Sequence, residues 1–343
     1  MSLPEIPPFQ PHPLLRGGNR QTIAGVYLPS GRLAYRAKQH LVDLPDGDQI
    51  ALHEDRPDDW QSGDSVALLI HGLGGCHGSP YMVRIADKLA ARGVRVFRKD
   101  LRGWGAGAKI AKLPFHAART DDIGAAVAKI RSLSPDSPLS LIGFSLGANM
   151  LLKWLGDQGT APQQDDGMRA LAIAPPIDLM RCCQNLALGF GKVYDRKYAG
   201  FLWGHLRERR EVVSEFAAAL QERSPKRIFE FDERFTAPLG GFDSVEHYYE
   251  TASAKDVLQH IATPTLILNA YDDPIVPGAV LKEAKLSPQT QLHLTERGGH
   301  LGFIAARNGE PDRRWMDWRV VDFVTHPFTS TVKRGQALDS LRE

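Results

Sequence analysis

The chain has 343 residues, 43% of them hydrophobic, with 42 Lys and Arg against 40 Asp and Glu. That length suits one α/β domain carrying an insertion, and that apolar share supports an ordinary globular core. Near-balanced charge, with no strongly basic block, argues against a nucleic-acid partner.

The opening residues carry neither a basic n-region nor an apolar h-region, so no signal peptide is expected. Residues 1–40, rich in Pro and Gly at the start, read as an extended arm. Residues 41–44 and 49–54 flank Pro45-Asp46-Gly47-Asp48, a hairpin signal. Residues 65–70 form a continuous apolar run, as a buried strand does. A helix is predicted over 80–92, with Met82, Ile85, Ala86 and Leu89 on one face, then a strand over 94–97. Residues 121–133 read as a helix with acids in its first turn, where the helix dipole favours them. A strand over 139–144 is followed by a helix-compatible run over 148–155. Another strand, 170–174, ends at Pro175-Pro176.

The alternation then stops. Residues 177–250 contain no convincing strand and read as a helical insertion, either a cap over the site or helices packed on the side of the core. The pattern resumes with a helix (254–261), strands (264–268 and 291–295) and a helix (315–323), leaving 329–343 as a tail. The α/β core is thus 41–176 plus 251–328, with a mostly parallel central sheet and helices on both faces. The longest uncharged stretch, 137–152, is too short and too polar to span a bilayer, so a soluble cytoplasmic protein is the default expectation. The oligomeric state is left open.

Gly143-Phe144-Ser145-Leu146-Gly147 carries the chemistry. It reads G-x-S-x-G on a strand-to-helix junction, a turn that pushes the serine hydroxyl out at the carboxyl end of a sheet. A serine hydroxyl stays protonated near neutral pH and needs a base, which in turn needs an orienting acid. Asp272-Asp273-Pro274 follows the 264–268 strand; Asp273, before the proline, is the preferred acid and Asp272 the alternative. Gly298-Gly299-His300-Leu301-Gly302 follows the last strand and offers His300, one of twelve histidines, as the base. His71-Gly72-Leu73-Gly74-Gly75 follows the 65–70 strand. The Leu73 and Leu146 N–H groups are the expected oxyanion donors, with His71 a support for its loop. Asp100 and Arg102 read as loop-holding residues; Trp104 either lines an acyl pocket or packs.

No phosphate-loop or dinucleotide pattern and no metal-ligand spacing is present, so neither a cofactor nor a metal is expected. Cys76, Cys182 and Cys183 fit neither a disulfide framework nor a zinc site and read as reduced, at least partly buried thiols.

Together these residues resemble the α/β-hydrolase superfamily over about 40–328. Asn19-Arg20-Gln21-Thr22-Ile23, the 71–75 loop, Gly143 to Asn149 and Gly298 to Phe303 resemble its YheT-like branch of bacterial esterases and related lipid-acting hydrolases and acyltransferases. The resemblance implies Ser145 as nucleophile, His300 as base and an acid in Asp272-Asp273. Ala148 stands where the branch often has glycine, and Arg102-Gly103-Trp104 departs from its usual Arg-Gly-Cys. The expected activity is hydrolysis of small-molecule carboxylic esters with an apolar, short- to medium-chain acyl group. Acyl transfer to an alcohol and a non-catalytic binding protein are the alternatives. The insertion's aromatics, Trp203, Phe229 and Phe231, point to an apolar pocket.

Overall fold

The computed structural model describes residues 3–29, 36–159, 167–307 and 309–328; the 329–343 tail lies outside them. Eight strands form one sheet: β1 (Lys38–Asp43), β2 (Gln49–Asp55), β3 (Val66–Ile70), β4 (Arg95–Lys99), β5 (Leu139–Phe144), β6 (Met168–Ile173), β7 (Thr265–Ala270) and β8 (Thr290–Thr295). Their order is β1-β2-β4-β3-β5-β6-β7-β8. The β1–β2 hairpin joins β4 antiparallel, and every pairing beyond β4 is parallel.

The α-helices are α1 (Gly18–Tyr27), α2 (Pro80–Ala90), α3 (Asp121–Leu133), α4 (Leu146–Asp157), α5 (Leu179–Leu186), α6 (Gly191–Arg209), α7 (Ser214–Ala219), α8 (Ile228–Phe231), α9 (Ala237–Leu239), α10 (Val245–Ala252), α11 (Gly278–Lys282) and α12 (Trp315–Thr325). Strand side chains alternate between faces, so Val66, Leu68 and Ile70 enter one core while Ala67 and Leu69 enter the other. Met82, Ile85 and Leu89 of α2 pack with Trp315, Val320 and Val324 of α12 on the second face. Ile123 and Ile130 of α3 and Leu151 and Leu155 of α4 fill the first, together with α5, α6 and α10. Residues 177–250 hold no strand.

Parallel pairing puts the carboxyl ends of β3, β5, β7 and β8 on one edge of the sheet. The loops that follow them carry His71, Ser145, Asp273 and His300.

Two expectations are corrected. The arm is not extended throughout, because residues 18–27 are the helix α1. It has no side-chain cap, and tertiary bonds hold it instead. Fully buried Gln21 donates to the carbonyls of Leu15 (2.6 Å) and Ile304 (3.0 Å) and accepts from Ile304 N–H (2.7 Å). The 254–261 helix is absent apart from one 3₁₀ turn, Leu258–His260. Backbone donors there go elsewhere: Ala254 N–H to the Asn149 side chain (3.0 Å) and Lys255 N–H to Ile177 O (3.0 Å). The Gln21 bonds make a prediction. Gln21→Ala leaves buried backbone groups unpaired and should cost about 3 kcal/mol, read by urea unfolding.

Candidate active site

β5 ends at Phe144 and α4 begins at Leu146, so the whole turn is made by Ser145, at φ 51° and ψ −122°. A positive φ on a residue with a Cβ stores of order 1–3 kcal/mol and persists only where the surroundings enforce it. They do so here: Ser145 N–H donates to Ile173 O (2.8 Å), and its carbonyl accepts from Ala148 and Asn149 N–H (2.9 and 3.1 Å). Gly147 is required by close approach. A Cβ there would overlap the carbonyl oxygens of His71 and Ile70, the latter at 2.7 Å.

His300 Nε2 lies 2.8 Å from Ser145 Oγ, and His300 Nδ1 lies 2.8 Å from Asp273 Oδ2. The carboxylate fixes the tautomer: Nδ1–H donates to it, leaving Nε2 to accept from the serine hydroxyl. Asp273 is oriented by Ile275 and Val276 N–H, which donate to its Oδ1 at 2.8 and 2.9 Å. Asp272 points elsewhere. Its Oδ1 accepts from Gly299 N–H (2.9 Å), tying down the histidine loop, and burial pushes its carboxyl above the ordinary value. His300 N–H in turn donates to Thr22 Oγ1 (2.8 Å). The α1 helix therefore holds the histidine, a contact that β-strand and turn signals do not reveal. The only sequence signal for it is the 19–23 stretch of the family resemblance.

The 71–75 loop lies against the serine, since a Cβ on Gly72 would sit 2.9 Å from Ser145 Cβ. His71 supports this loop by donating from Nδ1 to Gly72 O (2.8 Å) and accepting Leu101 N–H at Nε2 (3.0 Å). Burial lowers its pKa to about 4, so it stays neutral, as those two bonds require. Leu146 N–H heads α4, where no intrahelical acceptor is available. Asp100 accepts from the backbone of His77 (2.6 Å) and Ala106 (2.9 Å) and from the His53 and His77 rings (3.1 and 2.8 Å). Burial alone would raise its pKa, but these bonds hold it well below the carboxylate range. Arg102 clasps Asp122 and Asp46. Trp104 packs, stacked on His205 at 4.2 Å between ring centroids.

Residues 67–306 match the family model for the alpha/beta hydrolase fold. YheT of Escherichia coli (strain K12) is 30% identical over 296 residues, covering 83% of this chain and 83% of its own. The chain belongs to the α/β-hydrolase family, in its YheT-like branch. Phospholipase ABHD3 of Mus musculus is 29% identical over 281 residues, 78% of this chain and 66% of that one. Esterase Pf2001 of Pyrococcus furiosus shares the fold, with a TM-score of 0.54 at 16% identity over 94% of this chain and 96% of that one.

Two cavities meet at Ser145 in this hydrolase. One, of about 100 Å³, runs beneath the 177–250 segment between Leu73, Leu146, Leu186, Leu202, Ile228 and Ile275. The other, of about 260 Å³, opens between α1 and α6 past Ile23, Tyr27, Lys197 and His300. Trp203, Phe229 and Phe231, expected from sequence at the apolar pocket, do not line the first cavity. Helical phase turns them onto Phe235 and Tyr249, and Leu202 and Ile228 face the cavity instead. The three cysteines are free; Cys182 and Cys183 line the first cavity, and burial pushes both thiols up, Cys183 to about 11.

Asp232 also lines the first cavity, and sequence reading missed it. Burial raises its pKa to about 6, although Thr236 and Tyr249 donate to it. The folded protein therefore holds this proton more tightly than the unfolded chain, and stability is lost as pH rises from 3.8 to about 6. Asp232→Asn removes that loss. Relative to the parent protein it should gain up to about 3 kcal/mol at pH 8 over its value at pH 3.5, read by urea unfolding at both pH values.

Among the described residues, no helix is long and apolar enough to cross a membrane.

Proposed function

We propose that this hydrolase cleaves carboxylic esters through an acyl-enzyme on Ser145. Ser145 Oγ attacks the ester carbonyl while His300 Nε2 takes its proton, and Asp273 stabilises the imidazolium that forms. The Leu73 and Leu146 N–H groups hold the oxyanion of the tetrahedral intermediate. His300 then protonates the leaving alcohol, activates a water, and the acyl group is released. The acyl chain, short to medium in length, occupies the apolar cavity beneath the 177–250 segment, which acts as a cap; the alcohol leaves by the wider opening beside α1.

The observation that carries this reading is the unbroken hydrogen-bonded chain from Ser145 through His300 to Asp273, 2.8 Å at each step. Its setting in an esterase- and lipase-type family supports it. The test is turnover of p-nitrophenyl acetate, butyrate and octanoate by the purified protein, with and without added short alcohols. Release of nitrophenol with free acid as product supports hydrolysis. A dominant transesterified product would make the protein an acyltransferase, and no turnover of any ester would refute the reading.

A further inference from the structure

We propose that the acyl cavity selects chains bearing a hydroxyl group, and that Asp232 is the residue that binds it. The proposal rests on the ester-hydrolase reading and adds a substrate class to it.

The cavity walls are Leu, Ile, Pro, Phe and Tyr side chains, and Asp232 is its one carboxylate among the described residues. The backbone is shaped to present it. Asp232 opens a π-helical turn, Asp232–Thr236, between α8 and α9, closed by Ala237 N–H bonding back to Asp232 O. Such single wide turns within α-helices occur frequently at functional sites.

Tyr249 Oη donates to Asp232 Oδ2 at 2.8 Å, and Thr236 Oγ1 donates to Oδ1 at 2.6 Å. Among the described residues no Lys or Arg pairs with Asp232. Its nearest acid, Asp195, is engaged by Arg227 (3.2 Å) and Ile228 N–H (2.7 Å), and Cys183 sits beyond Tyr249.

A carboxyl group offers about four hydrogen-bonding positions, and two are filled. Burying it without a cation costs free energy that a neutral side chain in the same packing role would avoid. A plain alkyl chain filling this cavity would leave the spare positions dry and unpaired. A hydroxyl at the matching carbon would satisfy one, and sites built to bond a hydroxyl discriminate strongly against analogues lacking it.

The experiment compares kcat/KM for p-nitrophenyl esters of equal chain length, plain or hydroxylated at successive carbons. One hydroxyl position should be preferred by about tenfold or more over the plain chain. That preference should shrink in Asp232→Asn and vanish in Asp232→Leu, whereas a merely structural role for Asp232 would lower both substrates alike. A protein that cleaves plain esters and prefers no hydroxyl position overturns the proposal, as does a preference that survives in Asp232→Leu. If no ester is cleaved, the hydrolase reading has failed, and binding of free acids to the unmodified protein decides this proposal. A larger thermal shift with a hydroxy acid than with the plain acid supports it, and equal shifts overturn it.

Discussion

Ser145→Ala should lower kcat/KM for p-nitrophenyl butyrate roughly 10⁴-fold or more, measured by nitrophenol release. The hydroxyl is the group that bonds the acyl carbon, and no other nucleophile stands in the same relation to His300. His300→Ala should cost a similar factor, because an unassisted serine keeps its proton. The double variant should be no worse than either single one, since the two groups act as a unit and their losses do not add. Misfolding would not imitate this pattern. The serine's backbone bonds to Ile173, Ala148 and Asn149 do not involve its hydroxyl, so the melting temperature of Ser145→Ala should stay near that of the parent protein.

Asp273→Asn and Asp272→Asn should separate by orders of magnitude. In Asp273→Asn the amide presents an N–H₂ to His300 Nδ1 or loses the bonds from Ile275 and Val276, and either outcome disfavours the tautomer with Nε2 free to accept. The expected loss in kcat is about 10⁴-fold, the scale seen when a triad acid is made neutral with geometry kept. Asp272→Asn keeps an oxygen able to accept from Gly299 N–H, so its loss should stay within about tenfold. Equal losses in the two variants would mean that the loop, and not the imidazole's orientation, sets the rate.

Much of this arrangement was legible because its signals are local. A buried strand needs a continuous apolar run, so β3, β5 and β6 stand out, and a nucleophile turn needs small residues around the serine, so Gly143 to Gly147 stands out with them. The order of strands then carries Asp273 and His300 to the same sheet edge. What was illegible depends on distant partners. Gln21 and Thr22 are unremarkable polar residues until Ile304 and His300 are brought against them across some 280 positions of chain. The 254–261 stretch has helical character, but Asn149 and Ile177 capture its backbone donors. Asp232 looks like one more surface acid in a charged segment; only the packing of Tyr249 and Thr236 around it reveals a buried carboxyl. Within the helical segment, aromatic content indicated an apolar cavity, yet which residues face it is decided by helical phase, one position away in the case of Leu202 and Trp203.

The most direct test of the central claim is covalent labelling with a fluorophosphonate ester, followed by intact mass measurement and peptide mapping. A serine activated by His300 should take up one equivalent, located on Ser145, with labelling lost in Ser145→Ala and strongly slowed in His300→Ala. An adduct on another residue, labelling that persists in Ser145→Ala, or no labelling of the folded parent protein would contradict the assignment of Ser145 as the nucleophile.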